Sequence, residues 1–159
     1  MRRVLIASLL LSGGAVVAEP LAHMQGAWRG SGFARETPSG PKEAVRCRIN
    51  NAFADGTLVV KGQCVVPGRK IALSGEMKGK SGSDTLTGFW FNPDGLGSTR
   101  ISGVQRDDLV AFTFSAKDPK TGELVSQNVE WRVEAESLRL RSTDRADPSV
   151  LMSDVSFTR

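Results

Sequence analysis

The sequence contains no tyrosine, one histidine and two cysteines among its 159 residues. A catalytic triad needs a histidine or an equivalent base beside its nucleophile, and a zinc site needs three or four ligands drawn mainly from cysteine and histidine. The single histidine, His23, lies early in the chain, where a position on the surface or the rim of a domain is the simpler interpretation. These shortages predict a protein that is not an enzyme. They suggest no catalytic residue, no metal site and no cofactor.

The sequence also lacks the motifs of phosphate-binding and calcium-binding loops and the strong basic charge of nucleic-acid-binding proteins. No glycine-rich phosphate loop precedes a helix, and Asp55-Gly56 and Asp94-Gly95 lack the regular acidic spacing of a calcium loop. The net charge is +4, and half of it comes from Arg2 and Arg3. Nucleic-acid binding needs a concentrated basic face. The composition therefore predicts no nucleic-acid partner.

The start of the chain has the layout of a secretory signal peptide. Arg2 and Arg3 precede an apolar run at residues 4–11, and small residues lead up to Ala18. The alternative is an uncleaved membrane anchor, but the apolar run is short for a transmembrane span. We expect cleavage near Ala18, a single domain at 19–159 with no membrane span, and a periplasmic or secreted location.

Both cysteines lie after the predicted leader, and an even number of cysteines in an exported chain favours a disulfide over two buried free thiols. Asp55-Gly56 between them is typical of a two-residue hairpin turn. Such a turn places Cys47 directly opposite Cys64 on a rung without hydrogen bonds, where Cα atoms lie about 4.5 Å apart. That separation suits a disulfide. The sequence therefore predicts a hairpin closed by Cys47 and Cys64.

A recurring pattern of an apolar residue, a polar residue and a glycine marks successive strands. Gly62, Gly75 and Gly88 recur at equal spacing in this pattern. Glycine weakens a strand, so its repetition indicates bends or close approach at a barrel wall. Short segments of alternating polarity continue to the end of the chain, and no helical period extends over a useful length. We predict an all-β fold, a single antiparallel up-and-down barrel of about 8–10 strands, with a β-sandwich as the alternative.

Two short motifs resemble known barrels. Gly26-Ala27-Trp28 resembles the opening of the calycins, the group that contains lipocalins, fatty-acid-binding proteins and avidins. The resemblance implies that Trp28 packs across one end of the barrel against an arginine near the C-terminus, either Arg159 or Arg141.

A second resemblance, over residues 24–64, rests on Gly26-Ala27-Trp28, Arg46-Cys47-Arg48-Ile49 and Val60-Lys61-Gly62-Gln63-Cys64. These segments resemble the early part of the periplasmic metalloprotease-inhibitor barrels, which contain one disulfide and insert an N-terminal trunk into a protease cleft. Here the corresponding lead-in, residues 19–25, is shorter than such a trunk. The whole chain is similar to small exported proteins of alphaproteobacteria.

The aromatic residues lead to the functional hypothesis. Trp28, Trp90, Phe112 and Trp131 fall on the predicted inner face, so we expect them to bind a small, largely apolar ligand inside the barrel. The first alternative is a protein-interaction module with an envelope protein as partner, most specifically a protease inhibitor. The second is a structural envelope protein.

Two features of the outer face have competing interpretations. The alternating arginines, Arg46 with Arg48 and Arg139 with Arg141, form basic stripes. Such stripes are typical of a solvated strand face that discourages edge pairing, and the alternative is contact with an anionic envelope polymer. Phe89 and Phe91 form an exposed patch or lie buried under a loop, and we favour burial.

Overall fold

A computed structural model describes residues 19–80, 82–92, 97–119 and 121–159. The predicted leader at 1–18 lies outside the described residues. Within them the chain forms one short helix, α1, followed by ten strands. The bounds are α1 Pro20–His23, β1 Gly26–Ala34, β2 Glu43–Ala54, β3 Thr57–Val66, β4 Arg69–Gly79, β5 Thr85–Asn92, β6 Gly97–Arg106, β7 Leu109–Lys117, β8 Leu124–Val133, β9 Ser137–Asp144 and β10 Leu151–Thr158.

The ten strands form one closed antiparallel barrel. Each strand pairs with the next strand along the chain, and β1 closes the sheet by pairing with both β2 and β10. Closure leaves no unpaired strand edge. The predicted all-β, up-and-down barrel with one disulfide is confirmed, and the β-sandwich alternative is wrong.

The hairpin of β2 and β3 has the predicted register. Asp55 and Gly56 form its turn with φ values of 50° and 73°, as a two-residue turn of this kind requires. Cys47 lies opposite Cys64 with their Cα atoms 4.0 Å apart, and the two residues form a disulfide. The prediction from turn position and cysteine spacing is therefore confirmed.

The recurring glycines lie where neighbouring strands or rings come close. A Cβ atom on Gly88 would overlap the carbonyl oxygen of Glu76 on the adjacent strand, and one on Gly75 would overlap the ring of Trp90. A Cβ on Gly62 would overlap the backbone at Arg48 and Ile49. The predicted close approach at the barrel wall is confirmed at all three positions.

Helix α1 covers one end of the barrel and packs against β2, β3, β6 and β7. Pro20 begins the helix, a position where its missing N–H costs nothing. Leu21 and Met24 are fully buried and fill the barrel end beneath it. Four residues are too few to show a helical period, so the sequence pattern could not predict α1. In the described residues no helix has both the length and the apolar character needed to cross a bilayer.

A β-bulge interrupts β10 near the opposite end. Leu151 pairs with Thr143, but the next pair joins Ser153 to Ser142, so β10 carries one extra residue. Met152 is buried, and the backbone N–H of Arg35 donates to its carbonyl oxygen at 2.7 Å. The bulge therefore directs both Met152 and Ser153 towards the interior and ties the end of β1 to β10.

The disulfide should contribute a large share of the stability. Cys47 and Cys64 are separated by 17 residues, and closing a loop of that size stabilises the folded state by about 3 kcal/mol. We expect the double variant Cys47→Ala/Cys64→Ala to lose about that amount in urea unfolding. Reduction of the wild-type protein should produce a similar loss and should not affect the double variant. A wild-type urea midpoint that is unchanged by reduction would contradict this prediction.

The close approach at Gly88 can be tested separately. In Gly88→Ala the new methyl group meets the Glu76 carbonyl oxygen, so β4 and β5 must move apart. We expect a loss of about 1–3 kcal/mol in the free energy of unfolding, measured with urea. Ser102→Ala on the exposed face of β6 is the control and should change stability by less than about 0.5 kcal/mol. Equal effects of the two substitutions would argue against steric crowding at Gly88.

Candidate ligand-binding cavity

A cavity of about 250 Å³ opens at the end of the barrel opposite α1. Its wall is built from inward side chains of most of the strands, which alternate with outward polar residues. Much of this wall is apolar. Its larger apolar members include Leu73, Trp90, Phe114, Val129, Leu140 and Met152. A dry apolar cavity of about 150 Å³ is enough to hold benzene, so this space suits a small organic molecule.

The mouth of the cavity is rimmed by charged side chains from the strand ends. Arg69 at the start of β4 donates to Glu43 at 3.1 Å and lies 3.7 Å from Glu36. The Arg35 side chain donates to the carbonyl oxygens of Pro38 and Gly40 in the loop between β1 and β2. Asp118 completes the charged rim. These ion pairs and hydrogen bonds hold the loops at the mouth around an apolar interior.

A small set of neutral polar groups lies inside the mouth. The hydroxyl groups of Ser142 and Ser153 are 2.7 Å apart, and Gln127 and Thr99 also line the cavity. Thr99 and Ser142 are both buried. These groups offer hydrogen bonds to a ligand without adding charge. The sequence did not predict these polar groups. Ser142 could have been placed inside the barrel, because it follows Leu138 and Leu140 at alternate positions on β9.

The four aromatic residues predicted to contact a ligand lie at different depths. Trp90 is on the cavity wall, and its ring centroid is 5.7 Å from that of Phe112, which is buried below it. Trp131 packs against Phe157 at 5.7 Å and is fully buried near the α1 end. Trp28 is buried at the same end. The structure therefore places Trp90 at the cavity surface and the other three in the packed part of the barrel, and their role in ligand binding stays a prediction.

Trp28 and α1 form a sealed end. The indole N–H of Trp28 and the side-chain amide of Asn51 each donate to the Met24 carbonyl oxygen at 2.9 Å. The Arg159 guanidinium lies 4.5 Å from the centroid of the Trp28 ring and donates to the His23 carbonyl oxygen. Arg159, rather than Arg141, thus takes the position that the calycin resemblance implies. Asn51 and Met24 were not predicted, because their contacts depend on the unpredicted helix.

The outer face corrects one expectation. Phe89 and Phe91 are 48% and 39% exposed, so the interpretation that they are buried is wrong. Strand alternation explains the result, because Trp90 between them points inward. The guanidinium of Arg100 lies 5.7 Å from the Phe89 ring and covers part of it.

An ion-pair cluster joins β9 and β10 close to the mouth. Arg139 donates two hydrogen bonds to Asp154, at 2.9 and 2.8 Å, and Arg141 lies 3.6 Å away. The hydrogen bonds from Arg139 lower the pKa of the Asp154 carboxyl group. Partial burial acts in the opposite direction, and the charges of Arg139, Arg141 and Lys42 add to the lowering. Across the part of the chain that the structure describes, no three His, Cys, Asp or Glu side chains gather to hold a metal ion.

Comparisons with known proteins identify the architecture. No protein-family model matches the sequence, and no curated protein matches it. Among solved structures, the barrel is similar to Rv2717c from M. tuberculosis, with a TM-score of 0.65 and 16% sequence identity. The match covers 90% of this chain and 98% of that chain. At this identity the similarity shows a shared fold.

The lowered pKa of Asp154 predicts a specific pH dependence. A carboxyl group whose pKa is lower in the folded state stabilises the protein at pH values above its unfolded-state pKa. This contribution is lost as the pH falls through the folded-state pKa. We expect Asp154→Asn to be less stable than wild type near neutral pH. The difference in unfolding free energy should shrink towards acid pH, as measured by urea unfolding at several pH values. A difference that stays constant over the same range would contradict this account.

Proposed function

We propose that this protein is an exported, non-enzymatic β-barrel that binds a small, largely apolar ligand in its interior. One observation carries the proposal: a cavity of about 250 Å³ is open at one end, apolar over much of its wall and sealed at the other end by α1. Ligand sites are typically concave and apolar, with a few polar groups that fix the orientation of the ligand.

The lining also supports a ligand class. A small aromatic or aliphatic molecule would contact Trp90, Val129 and Leu140 below the mouth. One hydroxyl, carbonyl or amide group on the ligand would find partners at Ser142, Ser153 or Gln127. Placement in the periplasm or outside the cell rests on the leader and is compatible with the disulfide.

The alternative, a protease inhibitor, requires residues 19–25 to enter a protease cleft. In the structure, residues 20–23 of this segment form α1. Leu21 and Met24 are buried against the barrel. Insertion would require these side chains to leave the core, at a cost of about 1.5–3 kcal/mol for each. This cost favours the ligand-binding proposal over a trunk mechanism.

The proposal is tested by filling the cavity. The probe is 1-aminoanthracene, whose fluorescence rises in apolar surroundings, and we expect it to bind the wild-type protein. Val129→Phe and Leu140→Phe place bulk in the cavity and should weaken binding at least about tenfold, which corresponds to 1.4 kcal/mol. Val65→Phe, at a 43% exposed position on the outer face, is the matched control and should bind like wild type.

Native mass spectrometry of the protein purified from its own cells complements the probe. A retained molecule that Val129→Phe loses and Val65→Phe keeps would support the proposal. Absence of both probe binding and a retained molecule in the wild-type protein would contradict it.

A further inference from the structure

The outer face of β1, β2 and β3 carries four exposed cationic side chains. Arg29 on β1 pairs directly with Arg48 on β2, and Arg46 lies two residues away on the same strand. Asn50 is the next outward residue after Arg48 on β2, and Lys61 on β3 lies directly opposite it. We call Arg29, Arg46, Arg48 and Lys61 the basic face. The sequences of these three strands contain one acidic residue, Glu43, and it lines the cavity.

The cations of the basic face form no ion pair with the described part of the chain. Among the described residues, none of its four side chains takes part in an ion pair or a hydrogen bond. Several arginines elsewhere on the barrel do form ion pairs. Arg106 pairs with Asp84 at 2.6 Å, and Arg132 pairs with Glu130 at 2.9 Å.

The direct pairing of Arg29 with Arg48 costs stability, and these charges do not protect a sheet edge. Two like charges directly opposite each other on neighbouring strands destabilise the pairing. Basic residues on a strand often protect a sheet edge, but β1 lies between β10 and β2 in a closed barrel and has no edge. An external anion would offset the repulsion between Arg29 and Arg48.

The distribution of the four charges favours a surface as the partner rather than a chain. They spread in two dimensions over three strands of a convex wall, separated by the short neutral side chains of Ser31, Asn50 and Gln63. No aromatic ring lies between them to stack on a nucleic-acid base. The guanidinium group is well suited to phosphate oxygens. We infer that the basic face docks onto an anionic lipid surface through its headgroup phosphates.

Vesicle co-sedimentation tests this inference on the folded, disulfide-bonded protein. The vesicles are mixtures of phosphatidylglycerol and phosphatidylcholine, compared with phosphatidylcholine alone. Each cation near an anionic membrane strengthens binding several-fold, so Arg29→Gln/Arg46→Gln/Arg48→Gln should weaken binding by about 100-fold. Arg48→Gln alone should weaken it by about fivefold. The matched control Arg106→Gln/Arg132→Gln/Arg145→Gln removes the same net charge and should bind like wild type.

The outcomes separate a specific face from general electrostatic attraction. Binding that needs phosphatidylglycerol, falls with added salt and is lost only in the basic-face variants supports the inference. Equal losses in the two triple variants overturn it, as does an absence of binding to the mixed vesicles. Binding to soluble dextran sulfate without binding to vesicles also overturns it and identifies an anionic polymer as the partner. Urea unfolding of every variant confirms that it is folded.

Discussion

Closure of the sheet by pairing of β1 with β10 is the constraint on which the rest of the structure depends. Every strand then has two neighbours, so no edge is left to pair with another molecule. Closure also requires neighbouring strands to coil tightly, and glycine at positions such as 62 and 88 removes the Cβ atoms that would prevent it. The enclosed interior is divided between a packed, sealed end and an open cavity.

The fold could be predicted closely from the sequence because its determinants are local. Strand alternation identified the strands, Asp55-Gly56 located the first hairpin turn, and the positions of Cys47 and Cys64 relative to that turn determined their pairing. Each signal involves residues within one or two strands. The repeated glycines favour barrel closure over a sandwich, because they permit the tight strand coiling that closure requires.

The candidate site was less predictable because it is assembled from distant parts of the chain. Trp90 could be placed on the inner face by alternation, but its depth relative to Trp28 and Trp131 depends on strand register. Arg35, Glu43 and Arg69 meet at the mouth only because the strand ends come together there. The sealed end depends on a four-residue helix that has no periodic signal. Local patterns therefore define which residues point inward, and the closed topology defines which of them enclose a space.

The bulge in β10 has a consequence for the proposed ligand-binding function. Regular pairing from Asp154 back towards the mouth would direct Leu151 inward and Met152 outward, whereas the extra residue puts the methionine on the cavity wall. Methionine is unbranched and polarisable, and it adapts to irregular shapes more readily than a branched side chain. Under the proposed ligand-binding function, the Met152 side of the wall would therefore adapt to ligands of different shape. In that case recognition would depend on the size and polarity of the ligand, and the barrel would accept a range of related molecules.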